Sequence, residues 1–288
     1  MSDIVVGPQR RSLMGRLGSE LRRDPLLAIS GFVCVLMILM VLFGPLLAPY
    51  SPSQTDILAA NQGVSIAHWL GTDELGRDIL SRILYGARLS LIAAALVAVF
   101  AATFGTSLAI VAAWYGGRVD RTVMRFANVL FAIPSILIAI IGVAIIGPGL
   151  VAPVIALSIA YSPYFARIGR SVALPERNKP YVDSCLLVGF SGWRVCLYHL
   201  FPNMRPIVLA QVTITFGTAI IDLAAISFIG LGVQPPSADW GLMVSNGRAA
   251  LLNGYPMQSL SAGVFIVVSV IATMVFGERL AQRAKSNA

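Results

Sequence analysis

Residues 126–166 read FANVLFAIPSILIAIIGVAIIGPGLVAPVIALSIAYSPYFA, 41 positions without an Asp, Glu, Lys or Arg. A helix crossing the roughly 30 Å hydrocarbon core of a bilayer needs about 20 residues. The stretch is too long for one straight crossing, and Gly147-Pro148-Gly149 interrupts it near the middle. It predicts an antiparallel pair of membrane spans, about 127–146 and 150–166.

Similar runs lie on either side. Leu26 to Ala48 is strongly apolar, Leu89 to Ala113 is uncharged, a fifth run extends from about Pro206 to Gly232 with Asp222 inside it, and 260–277 forms the core of a sixth. The first run is too long, and wrongly flanked, for a cleaved signal peptide. The fold class is therefore all-α: a polytopic membrane protein with six transmembrane helices. Composition agrees. AVILMFWYC residues make up 57% of the 288, mean hydropathy is +0.81, and 12% are charged, against about 25% in soluble domains.

Orientation follows from Lys and Arg. Of 21 basic residues, 17 fall in the N-terminal tail, the loop after span 2, the loop after span 4 and the C-terminal tail; Arg77, Arg82, Arg88 and Arg248 fall on the other side. The bias places both termini in the cytoplasm, consistent with an even number of spans. The organisation is then a tail at 1–25, a membrane region at 26–277 and a tail at 278–288. Two loops are long: an outer one at 49–88 and a cytoplasmic one at 167–205.

Several functions are excluded. The net charge of +8 is scattered around apolar runs, whereas a nucleic-acid binder gathers its basic groups on one surface. The only lysines, Lys179 and Lys285, do not follow a Gly, so there is no Walker A loop. Cys34, Cys185 and Cys196 make no CxxC, and His68 and His199 are far apart, so no cofactor or metal is expected in this chain.

The cytoplasmic loop can form two helices. Tyr181 to Val188 is one, with Gly189 as the C′ residue. Trp193 to Phe201 is the other, stopped by Pro202. Leu186, Leu187, Val188, Phe190 and Trp193 need a surface, either the membrane helices above or a soluble partner below. In the outer loop, Thr72 can cap a short helix with Asp73 and Glu74 in its first turn, and Asp73–Arg77 is an i,i+4 pair. Asp78 follows. Asp222 is a costly intramembrane carboxylate that faces protein or a watery cavity, about one turn before Ser227. It either partners a hydroxyl, an amide or a base, or meets substrate. His68 as a nickel ligand is the weaker reading of that residue, since no cluster accompanies it. Ala93, Ala94, Ala95, Ala98, Ala101 and Ala102 give span 2 a small-residue face for close packing.

With these residues in view, the chain resembles the second permease subunit of the binding-protein-dependent ABC importers for dipeptides, oligopeptides and nickel. Asp183-Ser184-Cys185, then Gly189, then Phe201-Pro202-Asn203 is similar to that family's cytoplasmic motif, with Asp in place of Glu and both Ala changed. His68-Trp69-Leu70-Gly71-Thr72-Asp73 through Gly76-Arg77-Asp78, Gly116-Gly117-Arg118-Val119-Asp120, Phe131-Ala132-Ile133-Pro134-Ser135 and Ser227-Phe228-Ile229-Gly230-Leu231-Gly232 resemble further family segments in the same order. The C-terminus, Phe276-Gly277-Glu278-Arg279-Leu280, departs from the pattern.

The resemblance implies a type I ABC importer transmembrane domain. It implies a homologous permease subunit as partner, two ATP-binding subunits that hold ATP and Mg, an extracytoplasmic substrate-binding protein, and residence in the lipid bilayer of a bacterial inner membrane. Coupling to the ATPases falls to Asp183, Ser184, Cys185, Gly189, Phe201 and Pro202. The substrate pathway or gate falls to Asp222 and Ser227, and outer contacts to Asp73, Glu74, Arg77 and Asp78. The favoured cargo is a dipeptide or oligopeptide; nickel, metal–chelator or opine-like cargo is the alternative, and a self-contained secondary transporter a third reading.

Overall fold

The computed structural model describes residues 24–286; the five arginines of the N-terminal tail lie outside the described residues. Every long element is helical. In chain order they are α1 (Pro25–Leu47), α2 (Ile79–Tyr115), α3 (Gly117–Phe131), α4 (Ser135–Ile146), α5 (Val151–Arg177), α6 (Pro180–Leu187), α7 (Gly192–Val195), α8 (Phe201–Phe228), α9 (Trp240–Asn246), α10 (Arg248–Leu252) and α11 (Met257–Ser286). A 3-10 turn spans Ile57–Ala59, and a π turn at Cys196–Leu200 joins α7 to α8. Among the described residues, five helical paths are long and apolar enough to cross a membrane, or six if the bent pair α3–α4 counts as one span.

α2 is the axis of the bundle. It packs against α5, α8 and α1, while α11 closes the other side against α8 and α1. The expected small-residue face explains the α2–α5 seam: Ala93, Ala94, Ala98, Ala101 and Ala102 are all buried. At Gly105 the two backbones come so close that a Cβ would run into the Ser162 carbonyl and Phe165. With no hydrophobic effect between spans inside lipid, such close backbone contact supplies the packing that holds helices together.

The structure corrects several boundaries. The single span expected at 127–146 is broken: α3 and α4 meet at 86° across Ala132–Pro134. Pro134 has no N–H to continue the ladder, and it biases Ile133 away from helical geometry. Span 4 does not stop near Ala166 but runs on to Arg177. The second loop helix is not ended by Pro202. The path is helical from Gly192 to Phe228, and the wide π turn ends at Leu200, two residues before Pro202, which has no N–H. Span 6 extends from Met257 to Ser286, beyond the expected 260–277. The short helix expected after Thr72 is absent. Residues 73–77 form a turn, and Asp78, not Thr72, caps a helix, accepting at 2.8 Å from the Ser81 N–H at the start of α2.

Candidate functional site

Four polar constellations stand out in this apolar molecule, two near one end, one at the other and one between. At the α2 start, Asp73 organises the outer loop. Its Oδ1 accepts from the N–H groups of Leu75 and Arg77, both at 2.9 Å, and Arg77 Nε donates to its Oδ2 at 2.6 Å. Arg82 Nε lies 3.7 Å from the same oxygen, and Arg82 Nη1 donates to the Pro52 carbonyl at 2.7 Å. His68 Nδ1 lies 2.9 Å from Asp78 Oδ1, and its ring packs on Tyr50. Asp73, Arg77 and Asp78 are buried; Glu74 is exposed. His68 is thus a partner of Asp78, and among the described residues no group of three His, Cys, Asp or Glu is placed to hold a metal ion.

Farther along, Asp239 caps α9 and accepts from Ser90 Oγ of α2 at 2.6 Å, while Trp240 Nε1 donates to the Ile83 carbonyl at 3.1 Å. These bonds fasten the segment after α8 onto α2.

The intramembrane carboxylate is clasped by hydroxyls from two other helices. Ser135 Oγ, at the first residue of α4, and Tyr161 Oη, within α5, both donate to Asp222 Oδ2 at 2.6 Å. Asp222 is half-buried, and both of these hydrogen bonds fall on its Oδ2. Ser227 is elsewhere: it is buried at the end of α8, where Gly232 and Gly241 sit against it. Sequence reasoning named the acid but not Ser135 or Tyr161. A carboxylate in a span needs donors, but the spans carry many Ser, Thr and Tyr hydroxyls and no local signal singles out these two.

On the opposite end, α6 is a short rigid block. Gly189 has φ +94° and ends it in a Schellman motif: the Phe190 N–H donates to the Cys185 carbonyl and the Gly189 N–H to the Leu186 carbonyl, both at 3.0 Å. Val182, Val195, Cys196 and Leu200 form a small buried core with half-buried Tyr181, Cys185, Leu186 and Phe190, packed on Trp114 and Ile110 of α2. The block is keyed to the bundle by Glu176, the penultimate residue of α5. Its Oε1 accepts from Tyr181 Oη at 2.8 Å and from Asn203 Nδ2 at 2.7 Å, and Lys179 Nζ lies 2.7 Å from its Oε2. Burial, and next the Glu176 carboxylate, push the Tyr181 hydroxyl up to about 12.

The loop therefore divides its apolar residues between both expected surfaces. Leu186 and Phe190 pack inward, whereas Leu187 (88% exposed), Val188 (78%) and Trp193 (70%) face out. Asp183, Ser184 and Gly189 share the outer face; Cys185 Sγ rests 3.9 Å from His199 Nε2, and Phe201 and Pro202 are half-buried. Glu176, Tyr181 and Asn203 were not singled out from sequence. Their signal is weak, since an acid just after a long apolar helix looks like an ordinary solvated terminus.

Comparison with known proteins gives this arrangement its context. Residues 105–286 match the family described as binding-protein-dependent transport system inner membrane component, and residues 12–63 match the N-terminal TM domain of oligopeptide transport permease C. The chain is 35% identical to the probable D,D-dipeptide transport system permease protein DdpC of Escherichia coli (strain K12), over 95% of this chain and 92% of that one. It is 36% identical to the dipeptide transport system permease protein DppC of Alkalihalophilus pseudofirmus, over 91% and 86%. It is also 36% identical to the glutathione transport system permease protein GsiD of Escherichia coli O157:H7, over 96% and 91%. Among solved structures, an inward-facing MetNI methionine ABC transporter chain shares the fold with a TM-score of 0.56 at 18% identity, covering 70% of this chain and 96% of that one. The chain is thus matched along almost its whole length, and it belongs to the binding-protein-dependent ABC importer permeases, in the peptide and nickel transporter family.

Proposed function

We propose that the chain forms half of the translocation pathway of an ATP-driven importer of dipeptides or short oligopeptides, pairing with a homologous permease. The observation that carries this reading is the outward face of α6. Leu187 and Val188 stand almost fully exposed on a block that Glu176 and a small core hold rigid. Exposed apolar residues on a braced element mark a protein contact, and a chain that moves cargo uphill without a nucleotide loop needs a partner to push it.

In this reading an ATPase subunit seats on Asp183, Ser184, Leu187, Val188 and Gly189, with Trp193 beside them. Cys185, Phe201 and Pro202 hold the seat from behind. ATP binding and hydrolysis in two such subunits shift the permease pair between outward- and inward-open states. The α4–α5 hairpin supplies the third and fourth of six passes, with α3 turned off it at the bend, and both termini lie in the cytoplasm. Asp222 serves as the polar group of the pathway or its gate, with Oδ2 tied to the protein. Ser227 acts in packing. The buried Asp73, Arg77 and Asp78 give the outer loop its shape, and Glu74 is its outward contact for a substrate-binding protein. Peptide cargo is supported by the named relatives, which serve D,D-dipeptide, dipeptide and glutathione systems.

The test is the complete assembly in nanodiscs: this chain, its sister permease, both ATPases and the binding protein. Dipeptides and tripeptides should stimulate ATP hydrolysis several-fold over the cargo-free rate. Stimulation by nickel chelates alone would overturn the peptide assignment, and a homodimer that transports without ATPases would overturn the importer reading.

A further inference from the structure

We propose that α3 is an interfacial helix whose Arg118, Arg121 and Arg125 bind the phosphates of anionic phospholipids in the cytoplasmic leaflet. The inference rests on the membrane orientation given above.

The first observation is direction. α3 turns 86° away from α4, so if α4 follows the bilayer normal, α3 lies in the membrane plane. The second is how the helix divides its faces. At about 100° per residue, Arg121, Arg125 and Arg118 fall within an arc of about 60°. Val119, Val123, Phe126 and Leu130 occupy a neighbouring arc, and Phe126 is 71% exposed. The third arc holds Asp120, Met124 and buried Ala127. Asp120 fixes the roll of the helix, because Arg170 of α5 grips it through Nε and through Nη2, the latter at 2.6 Å from Oδ2. A helix lying flat with an apolar arc beside a basic one matches a surface where hydrocarbon and phosphate meet.

The arginines are available. Arg121 spends only its Nε, on the Gly117 carbonyl at 3.2 Å. Arg118 and Arg125 make no ion pair or hydrogen bond among the described residues. Arg121 and Arg125 line an open cleft of about 610 Å³ with Asn128 and the paired Asp120 and Arg170, whose charges offset each other, and the cleft is large enough for a headgroup. Guanidinium groups suit phosphate because they present a planar fork of donors.

The consequence reaches the clasp on Asp222. Three residues separate α3 from Ser135, whose hydroxyl donates to that carboxylate. Headgroups that hold α3 in plane therefore hold one arm of the bend from which Ser135 projects.

The experiment uses the whole transporter in nanodiscs of phosphatidylcholine with rising fractions of phosphatidylglycerol. Native mass spectrometry counts retained phosphatidylglycerol, and cargo-stimulated ATPase activity is read in parallel. Attraction of about one basic side chain to an anionic surface corresponds to about fivefold in occupancy. The wild type should retain phosphatidylglycerol and gain activity several-fold as its fraction rises. R118Q/R121Q/R125Q should lose most of that retention and show a flat lipid response, with unchanged activity in pure phosphatidylcholine and unchanged ATPase content. The single variant R121Q, expected to fold in any case, should weaken retention about fivefold. Equal retention in wild type and variants, or loss of the sister permease or the ATPases from the triple variant in place of lipid, would overturn the proposal. If the wild type couples ATP to peptide in phosphatidylcholine yet ignores phosphatidylglycerol, the lipid site fails while the importer reading stands.

Discussion

Replacing Glu176 by Ala should release α6 from the bundle, and the size of the effect can be worked out from the contacts. Glu176 is 7% exposed, and its Oε1 takes hydrogen bonds from Tyr181 and Asn203. A hydrogen bond to a charged group contributes about 1.5–3 kcal/mol. Asn203 is exposed and Tyr181 only half-buried, so both donors regain water when the carboxylate is gone, and the lower end of that range applies to each. Lys179 is exposed, and its pair adds at most about 1 kcal/mol. The sum is about 3 kcal/mol, or about a hundredfold in the local opening equilibrium. Hydrogen exchange of the permease pair, with and without ATPases, reads this directly. Amides of Tyr181–Leu187 should exchange about a hundredfold faster in E176A, while those of α2 stay unchanged. E176Q keeps an oxygen that can accept both donors and should fall near fivefold. The Tyr181 contact is also proof against alkali. Its hydroxyl ionises at about 12, so its contribution is complete below the free-tyrosine value near 10 and is lost only as pH climbs through about 12. If E176A left exchange in α6 untouched, the small apolar core would be holding the block alone and the bracing role of Glu176 would be wrong.

Three further outcomes follow from the other constellations. L187S/V188S alters only exposed side chains, so thermal unfolding of the chain should move by less than about 0.5 kcal/mol, while the ATPases co-purify poorly; full retention would refute the docking face. D222N retains an acceptor for Ser135 and Tyr161 but removes the charge. Cargo with a free ammonium should lose stimulation about tenfold relative to N-acetylated cargo, and an equal response to both would show that the charge does not meet substrate. D73A leaves the buried Arg77 and Arg82 without their carboxylate, a loss of about 3–5 kcal/mol; proteolysis within residues 50–78 should appear, and continued protection would mean that the outer loop is held by its backbone bonds alone.

How much of this could be read in the sequence depends on the range of the interaction. The spans were legible because twenty apolar residues in a row have one physical outcome, and Gly189 was legible as a helix terminator because a φ of +94° favours glycine. Pro134 and Pro202 show where local reading stops. Both remove an N–H, yet one breaks a span at 86° and the other sits in the first turn of a helix that continues behind a π turn. What decides between them is the packing around each, since α7 and the π turn are held by Val195, Cys196 and Leu200 in the small core, whereas only Ala127 of α3 is buried. Asp222 could be picked out because charge in a span is costly. Its clasp could not, because Ser135 and Tyr161 are 87 and 61 residues away and nothing local marks a hydroxyl as a long-range donor. Asp73–Arg77 was read correctly as a pair but for the wrong reason, since the spacing of four is bridged by a turn and not by a helix.

The two carboxylates missed or half-read from sequence belong to one mechanical arrangement. Glu176 and Tyr161 both stand on α5, 15 residues or about 22 Å apart, and Asn203 and Asp222 both stand on α8, 19 residues or about 28 Å apart. α5 and α8 are therefore antiparallel rods cross-linked twice, by Glu176–Asn203 near α6 and by Tyr161–Asp222 within the spans. The inner link ties in α6 through Tyr181; the other ties in α4 through Ser135. Both oxygens of Glu176 are engaged, by Oε1 to Tyr181 and Asn203 and by Oε2 to Lys179, which suits a joint that transmits force without yielding. Both hydrogen bonds to Asp222 fall on Oδ2, from hydroxyls on separate helices, which in the proposed importer would suit a joint that exchanges a partner for cargo or water. In the importer proposed above, a push on α6 would reach Asp222 through two rods at once, and the more weakly committed joint would be the one to change state.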